Sequence, residues 1–222
     1  MLTVSTWPIY HRMLTPSTFP VKVSGMGKPN SYHHHNLREA LLAETAVMIA
    51  KNGVESVTMR ALAERVGVSR TAPYRHFSDK TSLLTAVAED GFKQLQQRMA
   101  AARGENNLHS FYQMGIAYIQ FAVENPTRYR LMFGPEGIQR ENNPALTAAA
   151  DDSFAELQGV IELCQQEGIM KPDDPCLLAY AAWAMMHGAA SLLIDRQTHD
   201  DIDVETFIQL TYQTLISGMM IS

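Results

Sequence analysis

From Leu37 onward the apolar residues of this chain recur at three- and four-residue intervals, the spacing that lines one face of an α-helix. Leu37, Leu41, Leu42, Ala46, Ile49 and Ala50 form the first such stripe, and Asn52-Gly53 ends it. Thr58 stands where an N-cap is needed for the segment MRALAERV, which Gly67 closes with a left-handed residue. Ser69 is set to cap a third segment, and Ser78 or Asp79 a longer fourth one running to about residue 103. Beyond the polar stretch GENN (104–107), the pattern predicts helices over about 108–124, 126–133, 144–167, 174–196 and 204–220. Asn125-Pro126, Gly134-Pro135, Asn143-Pro144, Gly168, Pro172 and an acidic loop at 199–203 separate them. There is no alternating strand pattern and no internal repeat, so the chain reads as all-α.

Residues 1–31 break the pattern. Four prolines, two glycines and several Ser and Thr mark them as a disordered or poorly ordered arm. Met26 is followed directly by GKPNSYHHHNLREA, so the stable protein is expected to begin near it. The first residues lack a continuous apolar stretch behind a basic one and make a poor signal peptide.

Charge divides the chain in two. Its net −5 conceals 13 Lys+Arg against 7 Asp+Glu over residues 1–103, and 5 against 16 over residues 104–222. A portion at +6 joined to one at −11 predicts two domains, the basic one suited to a polyanion. The organisation expected is a basic domain over 32–88 and an acidic helical domain over 89–222. Cys164 and Cys176 have no metal-site spacing and read as structural thiols of a reduced, cytoplasmic protein. Cys176 to Ile194 is a run of 19 uncharged residues, but its alanines, His187 and Gly188 favour a helix buried in a bundle over a membrane span.

Two short segments joined by a turn, Thr58–Val66 and Ser69–Phe77, have the dimensions of a helix-turn-helix. Ala63 is small where they must cross closely, and Gly67 makes the turn. If the second segment is a helix, Pro73 and Phe77 face inward beside Val68. The pairs Arg70 and Tyr74, Thr71 and Arg75, and Ala72 and His76 then form the outer surface. Guanidinium groups can take guanine in a bidentate fork, and Thr or Ala can meet a thymine methyl, so this face has the chemistry of a major-groove reader. Lys80, in the next helix, is placed for phosphate.

The segment TMRALAERVGVSRTAPYRHFSDKTSLL (58–84), preceded by LREALLAETAVMIAKNG (37–53), resembles the TetR family of transcriptional repressors. YHHHNLREALL (32–42) and WAMMHG (183–188) are similar to the subgroup with a C-terminal W-x-x-x-H-G signature. The resemblance implies an N-terminal three-helix helix-turn-helix domain followed by a helical domain for effector binding and dimerisation. It places Arg60 at a base edge or phosphate and Thr58 on the DNA backbone. Ser69 lies at the turn, Arg70, Thr71, Ala72, Arg75 and His76 face the groove, and Tyr74 and Lys80 bind phosphates. Pro73 replaces the larger aliphatic residue of many relatives, and His35 a glycine common in the subgroup.

His33, His34 and His35 point in different directions on a helix, so they are expected to form a polar lead-in and not a metal site. In the second domain, 111–133 and 179–193 carry methionines and aromatics on several faces, which suits either an ordinary core or an apolar effector pocket. The pocket residues expected are Phe111, Met114, Tyr118, Phe121, Tyr129, Met132, Phe133, Trp183, Met186 and His187, with His187 either the polar anchor or a satisfied core histidine. Gly188 is expected to permit close helix approach. The last two helices are too apolar for monomer surfaces and predict a twofold interface with a second copy.

The partners expected are double-stranded operator DNA, a second copy of the chain and a small, largely apolar effector, with no membrane. No GxSxG, HExxH, P-loop or dinucleotide motif occurs, so neither catalysis nor a cofactor is expected. The function predicted is a homodimeric repressor released from its operator by that effector. A helical adaptor without DNA function and a ligand-responsive activator are the alternatives.

Overall fold

A computed structural model describes residues 37–134, 143–199 and 201–221. The arm over 1–31 and the histidines 33–35 lie outside them. The helices are α1 (Leu37–Asn52), α2 (Met59–Val66), α3 (Lys80–Ala101), α4 (Asn107–Glu124), α5 (Pro126–Phe133), α6 (Pro144–Gln166), α7 (Pro175–Ile194) and α8 (Val204–Met219). Among the described residues there is no strand, only an isolated antiparallel bridge between Met170 and Met220.

Local chemistry sets the helix ends. The Thr58 hydroxyl accepts the Ala61 N–H at 3.1 Å, and Gly67 closes α2 at φ 75°. Asp79 accepts the Ser82 N–H at 2.7 Å while the Ser82 hydroxyl accepts the Asp79 N–H at 3.1 Å, a reciprocal capping box that starts α3. The Ser82 backbone bond, above all, holds the Asp79 carboxyl below the ordinary carboxylate range. The side chains of Asn106, Asp174 and Asp203 accept backbone N–H bonds at the starts of α4, α7 and α8, without the reciprocal bond, and α5, α6 and α7 each open on a proline.

The apolar faces meet in one continuous core. Its N-terminal part holds Leu41, Leu42, Met48, Leu62, Phe77, Leu83 and Val87 around a fully buried Ala63. The face of α1 is turned from the expected stripe. Thr45 and Met48 are buried, Thr45 because its hydroxyl donates to the Leu41 carbonyl at 2.7 Å, whereas Ala50 is exposed.

The 22-residue helix α3 crosses the expected boundary near residue 88 without a break and packs on α1, α4, α5 and α6. Helix α5 packs on both α3 and α1.

Helix α7 is long and apolar enough to cross a membrane. It packs on α4, α6 and α8 through Ala179, Ala182, Met186, Ala189 and Ala190. It is buried on that face only: Leu177, Tyr180, Ala181, Ala184, Gly188 and Leu192 are exposed at helical spacing on another. Gly188 is therefore not a close approach within the chain, since an added Cβ would meet nothing within 4 Å. The outward face of α8 is more polar than expected, with Thr206, Gln213, Thr214 and Ser217 around Leu210.

Candidate nucleic-acid interface and buried cavity

The segment after Gly67 is not the regular helix its spacing predicts. It is a succession of tight turns with a 3-10 turn at Pro73–Arg75. The Ala72 N–H bonds to the Ser69 carbonyl at 2.9 Å, the Arg75 N–H to Ala72 at 3.2 Å, and the His76 N–H to Pro73 at 3.0 Å. Pro73 has no N–H with which to continue an α-helical ladder from Ser69, so three-residue bonds take over until the Phe77 N–H reaches back four residues to the Pro73 carbonyl at 3.0 Å. The Ser69 hydroxyl lies 3.2 Å from that of Thr71 and does not act as the expected helix cap.

The shorter turn leaves the expected inside in place. Pro73 and Phe77 are buried and Val68 is half-buried. Thr58, Arg60, Ser69, Arg70, Thr71, Tyr74, Arg75 and His76 are exposed together, whereas Ala72 is half-buried and only partly available. Lys80 is half-buried with Nζ 3.6 Å from the Glu55 carboxylate, which is almost fully exposed. That pair is solvated and leaves Lys80 free to exchange partners at little cost. Arg38, which the sequence reading passed over, places its guanidinium 5.7 Å above the Phe77 ring. A positive residue in the first turn of α1 was the available signal.

A second site lies in the helical part. A cavity of about 120 Å³ is lined by residues of α3, α4, α5, α6, α7 and α8. Of the residues expected there, Phe111, Met114, Tyr118, Phe133, Trp183 and Met186 line it. Phe121, Tyr129, Met132 and His187 do not. Phe121 faces Arg98 of α3, and Met132 packs where Gly91 lets α5 approach α3. Further walls, which no local pattern marks, come from α3 (Phe92, Leu95, Met99) and from α6 (Ser153, Phe154, Leu157, with Asp151 exposed at the edge).

A chain of polar groups runs back from the wall residues Tyr118 and Trp183. The Trp183 indole N–H donates to the Tyr118 hydroxyl at 3.0 Å. The Tyr118 and Tyr129 hydroxyls are 2.7 Å apart, and Nδ1 of His187 lies 2.6 Å from Tyr129 and 3.2 Å from Tyr118. Burial pushes both phenols well above the ordinary tyrosine range and the imidazole below its own. His187 is thus a satisfied core histidine and not an anchor in the cavity. Burial also raises the Cys164 thiol to about 11, an unreactive position. Among the described residues no group of three or more His, Cys, Asp and Glu is placed to hold a metal ion.

Comparison with known proteins bears on both sites. Residues 41–87 match the family profile described as bacterial regulatory proteins, tetR family, and residues 111–215 match that of the tetracyclin repressor-like C-terminal domain. The HTH-type transcriptional regulator YobS of Bacillus subtilis is 22% identical over 84% of this chain and 94% of its own. The HTH-type transcriptional repressor AcnR of Corynebacterium glutamicum is 33% identical over 44% of this chain, a match spanning 46% of that repressor. A solved structure of a protein of unknown function from Rhodococcus sp. RHA1 superposes with a TM-score of 0.77, at 28% identity, over 87% of this chain and 100% of its own.

Proposed function

The chain belongs to the TetR family of bacterial regulatory proteins, and from that premise we propose that it is a homodimeric repressor whose operator affinity falls when a small apolar effector enters the cavity. It is a DNA-binding transcriptional regulator, and what is proposed concerns how it binds and how it is released.

The single observation that carries the reading is the course of α3. Its N-cap, Asp79, follows the exposed turn Arg70–His76 by three residues, and later on the same helix Phe92, Leu95 and Met99 line the cavity. A helix of 22 residues is about 33 Å long, so a small tilt at its cavity end displaces the turn at the other.

In this reading Arg70, Thr71, Arg75 and His76 face base edges, with Ala72 in a lesser part. Thr58, Ser69, Tyr74 and Lys80 hold the phosphate backbone, and Arg60 takes either. The apolar stripe Leu177, Tyr180, Ala181, Ala184, Gly188 and Leu192 of α7, with Leu210 of α8, pairs with its copy around a twofold axis. Two turns then stand about 34–36 Å apart and enter successive major grooves. An effector that binds better at another spacing draws population from the DNA-competent form.

The test is a gel shift on the DNA flanking the protein's own gene, in the cytoplasmic salt range and above. Specific binding that falls on a log–log salt plot with a slope of about −0.9 per phosphate contact supports the reading. Equal retention of any DNA sequence counts against it.

A further inference from the structure

The polar chain that starts at the wall residues Tyr118 and Trp183 can run its hydrogens head to tail in either of two directions. Trp183 can only donate, and it donates to Tyr118. In the first ordering Tyr118 donates to Tyr129 and Tyr129 to Nδ1 of His187, which must then carry no proton. Every hydrogen is used inside the chain, and Tyr118 offers the cavity none. In the second ordering Nδ1 of His187 carries a proton and donates to Tyr129, and Tyr129 donates to Tyr118. The Tyr118 O–H is then left without an acceptor in the chain, and Tyr118 is one of the residues that line the cavity. The Ser153 hydroxyl of the wall does not substitute for it, since it donates to the Ala150 carbonyl at 2.8 Å.

We propose that the cavity takes an uncharged, single-ring-sized molecule bearing one hydrogen-bond acceptor, a carbonyl or ether oxygen, and that the proton on His187 Nδ1 decides whether Tyr118 can donate to it. This rests on the reading of the cavity as the effector site. The size follows from the cavity, about 120 Å³ with Met99, Met114 and Met186 as adaptable walls, where an apolar cavity of about 150 Å³ is enough for benzene. The absence of charge follows from the apolar side chains that make most of the wall, which would strip water from an ion without pairing it, and Asp151 at the edge repels a carboxylate besides.

His187 is faced by Tyr118 of α4, Tyr129 and Phe133 of α5 and Trp183 of α7. The charged groups on the packed elements include Asp151 of α6, Arg128 of α5 paired with Asp90 of α3, and the Arg130–Asp195 pair joining α5 to the end of α7. At neutral pH the second ordering requires the ring to change tautomer. Protonation of the half-buried ring, which burial holds to a pH below the ordinary imidazole range, supplies the Nδ1 proton directly.

The test titrates the full chain with cyclohexanone and with methylenecyclohexane, the same ring with C=CH2 in place of C=O, following the Trp183 indole signal by NMR at pH 7.5 and 5.5. The expected result is a three- to tenfold preference for the ketone at pH 5.5, the worth of one net hydrogen bond. That preference narrows at pH 7.5, and Tyr118→Phe abolishes it while still binding the hydrocarbon. Equal affinities in the wild type at both pH values, or an unchanged preference in Tyr118→Phe, overturn the proposal and leave the cavity reading intact. Failure of both probes to bind the wild type overturns the cavity reading and the proposal with it.

Discussion

The Tyr129 hydroxyl stands 2.6 Å from Nδ1 of His187 and ties the short helix α5 to the long helix α7. Because α5 also packs on α1 and α3, this bond joins the cavity's surroundings to the elements that carry the exposed basic turn. Tyr129→Phe should lower stability by about 1 kcal/mol in thermal or denaturant unfolding. It should leave cavity ligands bound, since Tyr129 is outside the wall, and weaken their effect on DNA affinity. An unaltered effector response would place the coupling elsewhere.

The same imidazole sets an acid limb. Burial lowers its pKa, so below 6.5 the unfolded chain takes up a proton that the folded protein resists. Stability contributed by the neutral ring is complete above that pH and is lost as the pH falls through it. Melting temperatures between pH 8 and 5 should decline for the wild type and decline less for His187→Gln.

Gly67 sits at φ 75° with nothing within 4 Å of an added Cβ, so only the backbone conformation opposes a side chain there. Gly67→Ala should cost about 1 kcal/mol, and Gly67→Asn less, because Asn tolerates the left-handed region. Urea unfolding midpoints give the comparison.

Arg70→Ala should weaken discrimination between sequences by about 1–3 kcal/mol, whereas Lys80→Ala should weaken binding to every sequence alike and make the salt slope shallower. A change of base preference in Lys80→Ala would contradict the roles assigned to the two residues.

Ala184 is small, exposed and central to the apolar stripe of α7. Ala184→Glu should convert a dimer to a monomer in sedimentation and cost at least about tenfold in operator affinity, the equivalent of 1.4 kcal/mol. A variant that remains dimeric would move the interface off this face.

Helix ends were legible because each is fixed by one or two residues: Thr58, Gly67, Asp79, Asn125-Pro126 and Asn143-Pro144. The turn after Ser69 was not. Its polar and apolar positions satisfy a four-residue period, and a single missing N–H at Pro73 decides between that and a three-residue one. Exposure of Arg70, Thr71 and Arg75 survives either geometry, so the candidate interface was legible although its backbone was not. The cavity was half legible. Phe111 and Phe121 lie on the same helix with the same composition around them, and only the crossing of α3 and α6 decides which one meets open space. No local pattern carries that information, and the walls from α3 and α6 went unseen for the same reason.

The most direct test of the account is selection of bound DNA from a random pool by the full chain, followed by the mass of the complex with the winning sequence. The account predicts a palindrome whose half-sites lie one helical turn, or a multiple of it, apart, bound by pairs of subunits. A site without twofold symmetry, or one bound by a single subunit, would contradict it.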